Sequence, residues 1–387
     1  MEPLSSFQIF TGILHQLLPV WIGLIAIFIV SIATKRKTGL YGKLFDSPIG
    51  MVGFALVVFW VLTALFANII MTHDPLMQIS GMKNKLPGTP VRGATADDFQ
   101  WFLLGGDNLA RDVFSRVVAG SRIVLQIAPL ATLFAFMVGI TLGLPAGYYG
   151  GKRDTFLSFL ANLILAFPVI LLFYLLVTPE IVKTGLPKYM AAVLFLFPII
   201  FLVVLWQSRF YTQPQKRNVL VAITVIVGGW IYLGIAWNAD PVGIISMQAN
   251  ILIVFVAVVF VNSPTVFRII RGLTMDIKTR DYVAAAQTRG EGPWYIMLWE
   301  ILPNARGPLI VDFCLRIGYT TILLGTLGFF GLGLESESPD WGSTINAGRR
   351  LLAIYSHPAL PPALSLMSLV LGLNLLADGL REQSLKD

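Results

Sequence analysis

Charge is what this sequence has least of. Only 13% of its 387 residues are Asp, Glu, Lys or Arg, against about 25% in soluble domains, which excludes an ordinary water-soluble chain. Cysteine is almost missing: Cys314 stands alone inside an apolar run, so nothing suggests disulfides or a thiolate metal centre. His15, His73 and His357 lie far apart and form no ligand spacing. No G-x-x-x-x-G-K-[ST] loop is present, and the nearest cluster, Gly150-Gly151-Lys152, lacks the spacing that cradles phosphates. No Ser/His/Asp or Cys/His set stands out, so the chain is expected to be no enzyme and to hold no cofactor. A cleavable signal peptide is not expected either: residues 1–12 lack a basic n-region, and the apolar run 13–33 is long enough to span a bilayer.

What the sequence has in abundance is apolar length. Hydrophobic residues make up 56% of the chain and the mean hydropathy is +0.76. Runs able to cross roughly 30 Å of hydrocarbon recur throughout. The fold class is therefore all-α, a polytopic membrane helical bundle. Nine spans are expected, near 13–33, 49–71, 123–147, 157–178, 189–206, 219–237, 248–267, 307–330 and 360–380. With the N-terminus outside and the C-terminus cytosolic, the inside loops hold Lys35, Arg36, Lys37, Lys43, Lys152, Arg153, Arg209, Lys216, Arg217, the basic stretch Arg268 to Arg306, Arg381 and Lys386. The short outside loops 179–188 and 238–247 carry only Lys183 and Lys188. That bias follows the positive-inside rule, with one exception: the long outside segment 72–122 carries Lys83, Lys85, Arg92, Arg111, Arg116 and Arg122, in a length where the rule weakens. The net charge of +7 thus reads as topology, and no nucleic-acid partner is expected. Pro129, Pro145, Pro168, Pro198 and Pro264 are expected to kink or end spans.

Two polar stretches interrupt the apolar pattern. The long outside segment 72–122 begins as an irregular loop. It ends in 103–122, read as an amphipathic surface helix with Val113, Phe114, Val117 and Val118 on one face. In that helix Asp107–Arg111 and Asp112–Arg116 form acid–base pairs four apart. The second stretch is 281–304, the largest polar interruption in the second half. Asp281 is expected to cap a helix running from Tyr282 to Arg289. Gly290 ends it in the left-handed conformation, and Pro293 opens the next segment. Trp294, Ile296, Met297, Leu298 and Trp299 are apolar enough to lie against a membrane. On the residues alone this is either a helical connection or a working element. Within the spans, Asp312 and Arg316 are four apart and can pair, as a structural tie or as a functional pair.

Residues 281–304 then carry a resemblance. Ala284-Ala285-Ala286, Gly290 and Ile301-Leu302-Pro303-Asn304 resemble the "EAA…G…ILPN" cytoplasmic loop of binding-protein-dependent ABC importer permeases, with Ala284 where that family usually has Glu. The stretch LGGDNLARDVFSR is similar to "LGTDxxGRDVxSR" of the dipeptide/oligopeptide/nickel permeases, with Gly106 and Ala110 replacing Thr and Gly. GYYGG at 147–151 with Asp154, LAFP at 165–168, GFFGLG at 328–333, PDWG at 339–342 and NLLAD at 374–378 follow in the family's order. Gly325 stands where the family often carries Glu.

The resemblance implies a type I importer permease core of six spans plus about three extra spans. Its domains would be an extra N-terminal span and linker at 1–48, a first core span and external segment at 49–122, and a permease domain at 123–387 with a two-span insertion at 179–247. In that coupling loop Tyr282, Ala284, Ala285, Ala286 and Gly290 would meet the ATPase partners, and Pro303 and Asn304 would anchor the return to the membrane. Those partners would bind ATP and Mg and push the loop as they close, so that the helices rock around a midplane path. A second homologous permease, two cytosolic ABC ATPases, an external substrate-binding protein and membrane lipids are the implied partners. The implied location is a bacterial inner membrane and the implied cargo oligopeptides. The three extra spans are expected at the periphery, in lipid. The competing expectation is an ion-coupled carrier or channel that works without ATPases, with Asp312 as its coupling site. A membrane-embedded enzyme is weaker, because no His or carboxylate cluster recurs at span ends.

Overall fold

A computed structural model describes residues 2–96, 98–244, 247–332 and 337–384; Gly333 and Lys386 fall outside them. Among the described residues eight helices are long and apolar enough to cross a membrane. A ninth candidate is the pair Gly151–Leu165 and Val169–Val177, bent by 77°. The bend falls at LAFP: Pro168 cannot continue the first helix, and it drives the residue before it out of helical geometry. Pro129 and Pro145, by contrast, lie inside the unbroken helix Val113–Tyr149, and Pro264 lies inside Ala249–Ile277.

The chain divides into two compact units, residues 1–129 with 314–387, and residues 130–313. In the first unit Pro48–Leu65 packs along Leu360–Ser384. In lipid no hydrophobic force drives helices together, so close backbone approach must supply the attraction. Glycines allow it here. A Cβ on Gly53 would sit 2.3 Å from the Leu376 nitrogen, and one on Gly379 2.4 Å from the Gly50 Cα. Trp60 Nε1 donates to Ser368 Oγ at 2.9 Å across the same seam. The N-terminal span Leu18–Thr34 rests on Pro48–Leu65 with Trp21 tilted on Phe59 at 5.3 Å.

Gly325 faces the end of a Leu side chain and the backbone of Gly342. A Cβ there would lie 2.3 Å from Leu366 Cδ1, and its own carbonyl oxygen would lie 2.3 Å from a Cβ on Gly342. The close backbone approach is at Gly342, and the carboxylate that the resemblance places at 325 is absent. Gly342 belongs to the short helix Trp341–Arg349, whose N-cap Asp340 accepts from the Ser343 N–H at 2.9 Å.

In the second unit Ala249–Ile277 is the central element, with 67% of its most apolar window buried, against 11% for Pro214–Trp237. Gly139, Gly143 and Gly147 repeat every four residues along the facing stretch of Val113–Tyr149, one glycine per helical turn. Side chains there would meet Val266 Cγ1 at 2.5 Å, Ile270 Cβ at 2.9 Å and the Arg271 carbonyl at 2.6 Å. The insertion forms a helical hairpin, Leu186–Arg209 and Pro214–Trp237. Trp206 Nε1 donates to Thr224 Oγ1 across it at 3.1 Å.

Candidate functional site

Residues 281–304 fold as a compact two-part loop in the second unit. The first part is the helix Asp281–Thr288. Asp281 is its first residue and makes no side-chain cap; the N-cap is Arg280, which corrects the expected capping role. The stop is as expected. Gly290 has φ +78°. Its N–H donates to the Gln287 carbonyl at 2.9 Å and the Glu291 N–H to the Ala286 carbonyl at 3.2 Å, the two bonds of a Schellman motif. Only a residue at ease with positive φ closes a helix this way.

Within this helix Val283 and Ala286 are buried, whereas Tyr282, Ala284, Ala285, Gln287 and Thr288 are exposed. Gly290, Pro303 and Asn304 are exposed as well. Partial burial raises the Tyr282 pKa above its ordinary value, more than nearby Arg280 lowers it. The phenol therefore stays neutral near pH 7.

The second part begins at Pro293. Ile296–Ile301 then widens into a π-helical turn, with the Leu302 N–H donating to Met297 O, five residues back. Pro303, which has no N–H to extend a regular ladder, follows immediately. Ile296, Met297, Leu298 and Ile301 are buried with Val266, Ile270, Val283 and Ala286 in one core cluster, and Trp294 and Trp299 pack against it. The apolar face expected to lie on a membrane is instead turned into the unit's own core. Arg289 Nη2 meets Glu300 Oε1 at 2.9 Å, closing the loop on itself.

Three contacts tie the GYYGG turn and the helix after it to the loop and to the helix that leads into it. Asp154 forms a two-pronged ion pair with Arg271, through Nε and through Nη2 at 2.7 Å. Lys278 Nζ donates to the Gly147 carbonyl at 2.8 Å, where helix carbonyls lack partners. Gln287 Nε2 donates to Tyr148 Oη at 3.1 Å. Asp154 carried a sequence signal; Arg271, Lys278 and Gln287 carried none, because their partners are 117, 131 and 139 residues away.

The second expected cluster lies in the first unit and differs from expectation. Residues 103–112 are not helical, and the helix starts at Val113. Asp107, Arg111, Asp112 and Arg116 are buried rather than on a surface, each 2% exposed or less. Asp107 accepts from Arg111 Nε at 2.7 Å and from the backbone N–H groups of Leu109 and Arg111. Arg116 does not pair with Asp112. Its Nε lies 3.8 Å from Asp107, while Nη2 donates to Ser338 O at 2.8 Å and Thr344 Oγ1 at 3.1 Å. Asp112 instead accepts from Ser115 N at 2.9 Å and Thr72 Oγ1 at 2.9 Å, satisfying free donors at the helix start.

Ala110 sits between these residues with φ +63°, in the left-handed region that costs a side-chain-bearing residue roughly 1–2 kcal/mol. Restoring glycine, Ala110→Gly, should raise unfolding stability by about 1 kcal/mol, measured by thermal unfolding in detergent.

His357 packs against the same segment, with Nε2–H donating to the Gly106 carbonyl at 3.1 Å. Burial lowers its pKa, outweighing the Gly106 and Lys85 carbonyls that favour the cation. The unfolded imidazole titrates near 6.5. The neutral side chain therefore contributes stability in full above about pH 6.5, and that contribution is lost as pH falls through the lower folded value. Melting curves between pH 7.5 and 5 should show this loss, and His357→Gln should flatten it.

Asp312 and Arg316 both lie on Arg306–Phe329, the first half-buried and the second buried. Neither is without a partner.

Membrane-length helices with a folded polar loop seated on one unit define a polytopic helical membrane protein. The chain belongs to the family of binding-protein-dependent transport system inner membrane components, whose profile matches residues 139–384. It is 28% identical over 342 residues to a dipeptide transport system permease protein of Alkalihalophilus pseudofirmus, covering 88% of this chain and 87% of that one. It is 30% identical over 279 residues to a glutathione transport system permease protein of Pectobacterium atrosepticum, covering 72% and 70%. A probable D,D-dipeptide transport system permease protein of Escherichia coli is 27% identical over 337 residues, covering 87% of each chain. The protein is a multi-pass inner-membrane permease subunit of an ABC importer, which sets aside the ion-coupled carrier or channel.

Proposed function

We propose that the chain forms half of a translocation path for oligopeptides or similar small solutes. The other half is a second, homologous permease. Two cytosolic ABC ATPases bind ATP and Mg and do the hydrolysis, which this chain does not; an external binding protein delivers cargo. The N-terminus lies outside and the C-terminus in the cytosol, with residues 1–48, 49–122 and 123–387 acting as extra span, external segment and permease domain. The coupling element is 281–304. Tyr282, Ala284, Ala285 and Gly290 meet the ATPase, Ala286 holds the helix down, and Pro303 and Asn304 return the chain to the membrane. Asp312 and Arg316 act as a structural tie on their span.

The observation that carries this reading is the split of one short helix. Val283 and Ala286 are sunk in the core while Ala284 and Ala285, two methyl side chains, are exposed beside Tyr282. Small side chains let a partner's backbone come close. Rigid attachment beneath them passes a push into Ala249–Ile277 and Arg306–Phe329.

The test is purification and reconstitution. The chain should copurify with ATPase subunits, and proteoliposomes should take up labelled trialanine only with ATP. An Ala285→Cys label should be reachable from the cytosolic side alone. Uptake driven by an ion gradient without ATP, or labelling of Ala285→Cys from outside intact cells, would overturn the proposal.

A further inference from the structure

The inserted hairpin does not simply sit in lipid. Its first helix ends at Arg209, directly against the second part of the 281–304 loop. Ser208 is buried, and its Oγ accepts from Trp299 Nε1 at 3.1 Å. The Arg209 guanidinium lies over the Trp299 ring at 4.6 Å. Two residues on, Tyr211 Oη donates to Glu291 Oε2 at 3.3 Å, and its ring meets Tyr295 edge-on at 6.2 Å. The Glu291 carboxylate raises the Tyr211 pKa, as expected of a phenol that keeps its proton to donate. Above this tip Phe201, Val204 and Leu205 pack on the core that holds Ile296, Met297 and Ile301.

The tip is itself stiff. Trp206 stacks on Phe210 at 6.1 Å, Lys216 Nζ sits over Phe210 at 4.4 Å, and Trp206 is bonded to Thr224 on the returning helix. The loop is therefore held from two directions. The GYYGG turn grips its first helix through Gln287 and Tyr148, and the hairpin grips its second part through Trp299 and the junction between the parts through Glu291.

We infer that Ser208, Arg209 and Tyr211 are positioning residues for the coupling loop, so that the insertion acts as a strut making the loop move as one body when the ATPase pushes. The inference rests on the coupling role proposed above. Without the strut, Pro293–Asn304 keeps its core contacts but can yield. Pushes on the first helix are then absorbed rather than passed to Arg306–Phe329.

The test uses the complete importer in liposomes, with binding protein and labelled trialanine, and reads the ratio of ATP hydrolysed to tripeptide taken up. Ser208→Ala/Arg209→Ala/Tyr211→Phe should raise that ratio about tenfold, with the same amount of assembled complex recovered. Arg209→Lys alone, which keeps a cation over the ring, should stay within about twofold of the parent. A nitroxide on Thr288→Cys, in a Cys314→Ser background, should become more mobile in the triple variant. Gly290→Val is run alongside. If Gly290→Val uncouples and the triple variant keeps the parent ratio and nitroxide mobility, the strut is wrong while the coupling loop stands. If Gly290→Val leaves the ratio unchanged, the coupling reading itself fails and the strut with it.

Discussion

Gly290→Val is expected to leave an assembled importer that burns ATP without moving cargo. Valine at φ +78° places a branched Cβ against the following carbonyl, a strain of about 1–2 kcal/mol or more. No neighbouring atom comes within 4 Å of a Cβ there, so the damage is conformational and not a clash. The cheapest escape is to unwind the helix end, releasing the bonds from Gly290 N–H to Gln287 and from Glu291 N–H to Ala286. Because Ala286 is one of only two buried anchors of the Asp281–Thr288 helix, that escape also loosens its seat. Hydrolysis should persist within about twofold while uptake falls by at least about tenfold, the effect of roughly 1.4 kcal/mol on the coupled step. Gly290→Asn is the control, since Asn visits the left-handed region at little cost; it should retain most uptake. Equal loss in both variants would mean that the backbone conformation at 290 is not what matters.

Features with a local cause were legible in the sequence. Gly290 announced a helix stop because positive φ is a property of one residue. The spans announced themselves because crossing hydrocarbon needs about twenty apolar residues in a row. Proline was a weaker signal: Pro168 marks the bend at LAFP, whereas Pro129, Pro145 and Pro264 stand inside unbroken helices. Features with a distant cause were not legible. Asp112 and Arg116 sit four apart and invite pairing, but Arg116 is bonded to Ser338 and Thr344, over 220 residues on. Asp107, Arg111, Asp112 and Arg116 read as part of a surface helix because burial of charge is the exception. Here each finds fixed partners instead of water. The apolar run around Trp299 was equally able to face lipid or protein. Its destination is the core formed with Val266, Ile270, Val283 and Ala286, which no local pattern announced. The Gly139, Gly143 and Gly147 stripe was visible at helical spacing, yet only the facing Val266, Ile270 and Arg271 gave it meaning.

The largest loss of stability should follow from Asp107→Ala. This carboxylate is the one acidic partner within 4 Å of the Arg111 and Arg116 guanidiniums among the described ion pairs. All three side chains are shielded from solvent. Removing one member of a buried ion cluster leaves the other charges uncompensated in a medium that solvates them poorly, a cost of about 3–5 kcal/mol. Arg116 is partly protected by the carbonyls of Pro75, Glu337 and Ser338; Arg111 has far less to fall back on. Asp107→Ala also strips the acceptor from the Leu109 and Arg111 N–H groups, so the turn carrying the strained Ala110 loses its side-chain tie and keeps only its backbone bonds. Asp107→Asn keeps that acceptor but not the charge and should fall between the two. The decisive comparison is Asp107→Leu/Arg111→Met, which removes the acid together with its nearest base. It should unfold at a higher temperature in detergent than Asp107→Ala, because fewer unpaired charges stay buried. If the single and double variants melt together, the cost lies in the lost side-chain tie and not in the orphaned guanidinium, and the segment is held by its turn geometry rather than by its charges.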